Sequence, residues 1–385
     1  MRSSEIKLLF AGDFAPVGRY EDIVLECGNQ ILGDTLEYVK NADLSFINLE
    51  CPLTFSDDAV RKDGPNLKAN PEAIESLKDF SVIGLANNHI MDFGLAGLRD
   101  TIAAIDHAGL KSVGADENIH DASEPYVSEI RGKKIALIAI ADRELNQATF
   151  GTPGVAPIDP VENYSQVIEA KKCSDIVIVT IHGGNEYFAY PRPKFRKFCH
   201  FLIDLGVSAV ICHHPHVPGA YEYYKGKPIF FSLGNALFDH SKPPVGWQEA
   251  YFVQIVFDSG TLCIKDVEII PFSQSVTQRG LRLLKGSKAA DLVKKVDRYR
   301  AILADEDAWE TEWRHYLSHH SSDYVTKQYS PFLFRGVFQL SKAIGLEKLL
   351  LRSVNVPKKL NMLQCDAHRD ALEDILIERL RNSRL

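Results

Sequence analysis

Five short apolar runs, each broken off by residues able to hold a metal, constrain this chain more than any other feature. They are Ile6–Ala11, Asp43–Leu49, Phe80–Leu85, Asp175–Ile181 and Val207–Cys212. Runs of this length, separated by stretches with helical spacing such as Gly94–Ala108, read as buried strands of an α/β sheet. In such sheets ligands bind just beyond the carboxyl ends of the strands. The polar residues found there are Asp13, Glu50, Asn88 with His89, His182, and His214 with His216. A sheet gathers these positions along one edge, so distance along the chain is no obstacle.

The stretch GLANNHIMDFG, Gly84 to Gly94, is the densest case. Asn88 offers a neutral oxygen, His89 an imidazole that titrates near neutral pH, and Asp92 a carboxylate one turn on. Each strand-end residue also has a plainer reading: Asp13 as a cap, Glu50 as a loop carboxylate, His182 as a hydrogen-bonded core histidine. Five coincidences at five strand ends outweigh those readings. Within HHPH, His214 and His216 alternate on one side of an extended turn, which makes His213 the bystander. Cys212, last in its apolar run, is a packing residue. Carboxylate, amide and imidazole without thiolate suit Mn, Fe or Zn better than Ca. Two such ions need a bridging carboxylate, and Glu50 is suited to that.

Composition narrows the function classes. The net charge of −7 and pI near 6.0 exclude a general nucleic-acid binder, since no basic tract offsets them. A local basic groove for an anionic substrate stays open. The seven cysteines are scattered and never form CxxC, which is no disulfide framework. No stretch approaches the ~20 apolar residues of a membrane span, and the run at Ile6 is too short for a signal peptide. The expectation is a cytoplasmic chain without a transmembrane segment.

Patterning divides the chain near Phe272, giving a domain over 1–272 and a helical extension over 273–385. Helical spacing recurs at Leu281–Ala304, Trp309–Leu317, Phe332–Leu351 and Ala367–Leu380, with polar breaks at His319–Asp323 and Asn355–Lys359. These helices are expected to pack on the domain or a partner and to supply no metal ligand. The polar loop Cys51–Asn70 is long enough to be functional.

The motifs LLFAGDFAPVGR, ADLSFINLECPLT, GLANNHIMDFGLAGLRDTIAAIDHAGLKSVGA, VTIHGGNEY and VICHHPHVPGAYEYYKGKPIFFSLGNALFD run from about Ile6 to Ile270. Together they resemble the CapA-type capsule-synthesis (poly-γ-glutamate biosynthesis) proteins of the calcineurin-like metallophosphoesterase superfamily. The resemblance implies a two-sheet α/β sandwich flanked by helices. It implies two divalent metal ions, one held by Asp13, Glu50 and His216, the other by Glu50, Asn88, His182 and His214. His89 would be the acid that protonates the leaving group, with Asp92 orienting it. Two departures stand out. Ala15 replaces the histidine of the superfamily's Asp-x-His motif, a loss that CapA-type sequences commonly share, which leaves the first site short of a ligand and weakly held. The family's His-Trp-Gly-x-Glu reads His182-Gly183-Gly184-Asn185-Glu186, so an aromatic surface is missing while Glu186 is kept as a substrate-binding or supporting residue. The implied function is a metal-dependent hydrolase of a phosphoester or related bond. It would serve capsule or cell-surface polymer synthesis, with an anionic polymer or phosphoester substrate and capsule synthesis proteins as partners. The rival is a non-catalytic accessory subunit that binds polymer or a synthase.

Overall fold

The computed structural model describes residues 4–62, 64–143, 146–329, 339–340 and 342–345. The chain forms two compact units, Met1–Glu310 and Thr311–Leu385. The first begins with β1 (Glu5–Ala15), α1 (Arg19–Cys27), a 3₁₀ turn (Gly28–Thr35), α2 (Leu36–Asn41) and β2 (Leu44–Leu49). After a long loop and a second 3₁₀ turn (Pro71–Leu77) come β3 (Val82–Gly84), α3 (Gly94–His107), β4 (Lys111–Val113) and β5 (Ala115–Asp116). Then follow α4 (Ile119–Ala122), β6 (Tyr126–Ile130), β7 (Lys133–Ala141), β8 (Gly154–Val155), α5 (Pro160–Cys173) and β9 (Ile176–His182). Next are α6 (Pro193–Asp204), β10 (Ala209–His213), β11 (Tyr221–Tyr224), β12 (Lys227–Phe230) and β13 (Asn235–Phe238). The last elements are β14 (Glu249–Asp258), β15 (Ile264–Ser275), β16 (Gly280–Leu283), α7 (Ser287–Ala304) and α8 (Glu306–Tyr329).

Two mixed sheets carry the unit. One runs β16-β15-β14-β1-β2-β3-β4, with β13 also pairing β1, and the other runs β11-β12-β10-β9-β7-β6. β1 to β4 are parallel, as are β7, β9, β10 and β12, so their carboxyl ends fall at common edges. The apolar faces of both sheets form one core, with Phe46 of β2 packed on His213 of β10 and Phe230 of β12 on Tyr251 of β14. Near-continuous apolar runs such as IVIVTIH are buried throughout because neither face of a central parallel strand meets water. This is the helix-flanked α/β sandwich that the motifs implied.

Three expectations change. Phe272 lies within β15, and the first unit continues to Glu310, because β16 extends the sheet and α7 packs on β11 and β15. Leu281, expected in a helix, lies in the edge strand β16, whose partner β15 overrides local patterning. The polar stretch His319–Asp323 does not break α8, which runs on to Tyr329. The segment Ala367–Leu380 and most of Phe332–Leu351 lie outside the described residues. Among the described residues no helix is long and apolar enough to cross a membrane.

Candidate metal centre

Strand register builds the site. Asp13 at the end of β1 lies opposite Asn48 of β2, and His182 at the end of β9 lies opposite His213 of β10. Gly12 lets β13 approach so closely that a Cβ there would overlap the Gly234 carbonyl, to which the Asp13 N–H donates at 3.2 Å. After β10 the chain bends sharply, with His214 at φ 97° and His216 at φ 60°. Non-glycine residues in that region cost on the order of 1–3 kcal/mol each, and such strain persists where surrounding contacts over-determine it. Here His214 is fixed by its own N–H, which donates to Asp13 Oδ2 at 3.0 Å. His216 is fixed by Asn235, whose Oδ1 lies 3.0 Å from Nδ1 and whose Nδ2 donates to the His216 carbonyl at 3.1 Å.

The six expected ligands converge. His182 Nε2 stands 3.0 Å from Asn88 Oδ1, 3.1 Å from His214 Nδ1 and 3.4 Å from Glu50 Oε1. Glu50 Oε1 is also 3.6 Å from His216 Nε2, and Asp13 Oδ2 is 3.5 Å from His216 Nδ1. Ligand atoms of Asp13, Glu50 and His182 lie within 4.8 Å of one another, as do those of Glu50, His214 and His216. Glu50 belongs to both groups, which is what a bridging carboxylate requires. These closest groups pair His182 with Asp13 and His214 with His216, a division that crosses the two ligand sets implied by the motifs.

Glu50 is wholly buried, and neither of its oxygens has a hydrogen-bond partner. A buried carboxylate left that way is costly unless a positive charge faces it. In the structure that charge falls to histidine. Burial resists protonation of His182 and His216, but Glu50 and Asp13 outweigh it and lift them to about 10 and about 9. Burial would raise the Asp13 carboxyl, yet its contacts with His182 and His216 hold it well below the usual range. Burial, together with the neighbouring His182 charge, pushes His214 well below an ordinary histidine. Burial likewise takes His213 down to about 4. Oxygen acceptors and imidazoles gathered around one buried carboxylate without a hydrogen bond fit a divalent cation of the Mn, Fe or Zn type.

Beside this ring lies a second group. His89 Nδ1 is 2.7 Å from Asp92 Oδ2 and 3.1 Å from Lys62 Nζ. One ring nitrogen cannot donate to the carboxylate and accept from the ammonium together, so the shorter contact assigns the proton to Nδ1 and leaves Nε2 to the site. Lys62 pairs with the other oxygen of Asp92, and the Leu67 N–H donates to Oδ2 at 2.7 Å. Asp92 thus seats the Cys51–Asn70 loop and orients His89 at once. Glu186 is exposed, on the loop after His182.

Sequence reasoning missed Lys62, Asn48 and Asn235. Asn48 Nδ2 donates to Asp13 Oδ1 at 2.7 Å and lies 3.2 Å from His182 Nδ1. Asn48 and Asn235 stand in NLE and SLGN, which was the available signal; Lys62 had none beyond its loop's length. The aromatic surface expected to be missing is supplied from elsewhere. The Trp247 ring lies 5.1 Å from His216 and Phe238 5.2 Å from it, with Tyr187 6.1 Å from Trp247.

The family model for the bacterial capsule synthesis protein PGA_cap matches residues 7–240. The PGA biosynthesis protein CapA of Bacillus subtilis is 35% identical over 62% of this chain and 63% of its own length. The capsule biosynthesis protein CapA of Bacillus anthracis is 30% identical over 70% of this chain and 68% of its own. A probable polyglutamine synthesis accessory protein of Mycobacterium tuberculosis is 30% identical over 57% of this chain and 62% of its own. The chain therefore spans less than two thirds of the first of these relatives. Among solved structures, a phosphatase from Mycoplasma pneumoniae is 18% identical, with TM-score 0.46 over 70% of this chain and 94% of that one. The chain belongs to the bacterial capsule synthesis protein PGA_cap family.

Proposed function

We propose that this protein is a metal-dependent hydrolase of a phosphoester or related bond in an anionic substrate, serving synthesis of a capsule or cell-surface polymer such as poly-γ-glutamate or polysaccharide. The observation that carries the reading is Glu50, buried without a hydrogen bond inside a ring of Asp13, Asn88, His182, His214 and His216. Held by those residues, two divalent ions would supply an activated water and positive charge against the attacking and leaving oxygens.

The remaining chemistry belongs to the chain. His89 offers Nε2 to hold or deliver a proton, with its ring fixed through Nδ1 by Asp92. Lys62 and the Leu67 N–H hold the Asp92 carboxylate in place, so the His89–Asp92 pair keeps its aim. Trp247, Phe238 and Tyr187 wall the His216 side and limit water there. Glu186, exposed on the adjoining loop, is placed to meet a substrate outside the buried ring.

The test is metal analysis of the purified chain together with hydrolysis of bis-p-nitrophenyl phosphate in Mn²⁺. Near-stoichiometric bound metal with metal-dependent turnover supports the proposal, and turnover in chelator equal to that in Mn²⁺ refutes it. Two observations favour a second reading, that of a binding or accessory subunit. Ala15 stands where the superfamily's Asp-x-His motif carries an imidazole, and the Mycobacterium relative is described as a probable accessory protein. Bound metal and polymer binding without turnover on any phosphoester would select that reading.

A further inference from the structure

His213 is the buried titratable group left without a role. It is 2% exposed, and neither ring nitrogen has a hydrogen-bond partner. A buried polar group in that state is normally less stable than an apolar side chain of the same shape, so its presence needs a reason. Its surroundings supply one. The ring rests on Phe46 at 5.8 Å and is held in register beside His182 by the β9–β10 pairing. Its Nδ1 lies 3.7 Å from Asp13 Oδ1. That oxygen already accepts from Asn48 at 2.7 Å and lies 3.6 Å from His182 Nδ1. Asp13 Oδ2 faces the other way, toward the His214 N–H and His216.

The carboxylate is therefore divided, with one oxygen backed by groups from neighbouring strands and the other turned to the ring of ligands. We propose that His213 is a positioning residue for Asp13, whose Nδ1–H hydrogen-bonds to Oδ1 and holds Oδ2 toward a divalent cation. The 3.7 Å separation exceeds a hydrogen bond by less than an ångström, so the bond requires the ring to tilt by that much on Phe46. A carboxylate anchored through one oxygen keeps the other correctly aimed, and removing such an outer partner typically lowers metal affinity about 10–100-fold. This inference rests on the reading of Asp13 as a metal ligand.

The test compares His213→Phe and His213→Asn in the full chain by Mn²⁺ calorimetry, bound-metal analysis and urea unfolding of the metal-free protein. Phenylalanine keeps the ring against Phe46 and removes both nitrogens. It should leave metal-free stability equal to or above the parent's while Mn²⁺ affinity falls about 10–100-fold. Asparagine places an amide N–H near the position of Nδ1 and should recover most of that loss. Parental Mn²⁺ affinity in His213→Phe, or equal loss in both variants, makes His213 a packing residue and overturns the proposal. If His213→Phe does not fold, His213→Leu against His213→Asn, side chains of similar size, makes the same comparison. A parent chain that binds none of Mn²⁺, Fe²⁺ or Zn²⁺ overturns the metal reading and this inference together; a parent that binds while His213→Phe binds equally overturns this inference alone.

Discussion

Metal uptake by this site should release protons, because the imidazoles that would ligate the ions are the ones now charged. His216, lifted to about 9, and His182, lifted to about 10, neutralise Asp13 and Glu50 in the metal-free protein. A ligating imidazole must be neutral, so each charged ring gives up a proton on binding. His214 is held neutral by its depressed pKa and contributes none. At pH 7 both raised values lie above the pH of the solution, so the protons on these rings must be removed and oppose binding. Two protons leave only if both rings are charged. His216 can be, since Nδ1 faces the Asn235 side-chain oxygen Oδ1 and Nε2 faces Glu50. His182 has the Asn48 amide nitrogen, a donor, 3.2 Å from Nδ1, and that contact favours an unprotonated Nδ1. Between one and two protons should therefore leave at pH 7.

Calorimetry of Mn²⁺ binding in buffers of different ionisation enthalpy counts them directly. Affinity should rise about 10–100-fold per pH unit between pH 6 and 8.5 and level off above about 10, where both rings are already neutral. The same shifts fix a sign for stability. A raised histidine stabilises the folded state below its unfolded value near 6.5 and loses that contribution as pH climbs through 9 to 10. The metal-free protein should thus weaken over this alkaline window more steeply than the metal-loaded one. Release of fewer than one proton, or an affinity flat from pH 6 to 8.5, would refute the charge assignment.

Two further outcomes test the second group. Lys62→Met leaves Asp92 buried with one partner fewer, so it should cost about 3 kcal/mol in urea unfolding and expose the Cys51–Asn70 loop to proteolysis, with bound metal unchanged. His89→Ala should lower turnover about 10²–10⁴-fold with metal content near the parent's, whereas His214→Ala should lose metal first; metal loss in His89→Ala would make His89 a ligand.

What the sequence revealed follows from what local pattern encodes. Asp13, Glu50, Asn88, His182, His214 and His216 were visible because each ends an apolar run, and parallel pairing places such ends together whatever the loops between them do. Lys62 was invisible for the opposite reason. It lies in a loop without periodicity, and only the tertiary contact of that loop with Asp92 gives it a role. Asn48 and Asn235 stood in recognisable motifs, but their work is to orient other side chains, which no one-dimensional pattern records. Four-residue β16 carries too few positions to separate period two from helical spacing, and α8 is polar along the stretch read as a break. In both, partners in space decided what local composition left open.

The two flanks of Glu50 differ in a way that bears on Ala15. On one flank, His89, Asp92 and Lys62 form a charged group tied to a loop. On the other, His216 is enclosed by Phe238 and Trp247, whose rings lie 5.3 Å apart, and Ala15 stands opposite Phe238 in the β1–β13 register. Chain that could have carried an imidazole ligand instead borders an aromatic enclosure. Aromatic walls add no donor to a cation, but they exclude water and lower the local dielectric, which strengthens each charge contact that remains. On the proposed reading, loss of the imidazole would remove one ligand while Asp13, Glu50 and His216 stay buried beside the aromatic rings. The consequence is asymmetry, with an aromatic enclosure around His216 and the charged group of His89, Asp92 and Lys62 elsewhere beside the ring.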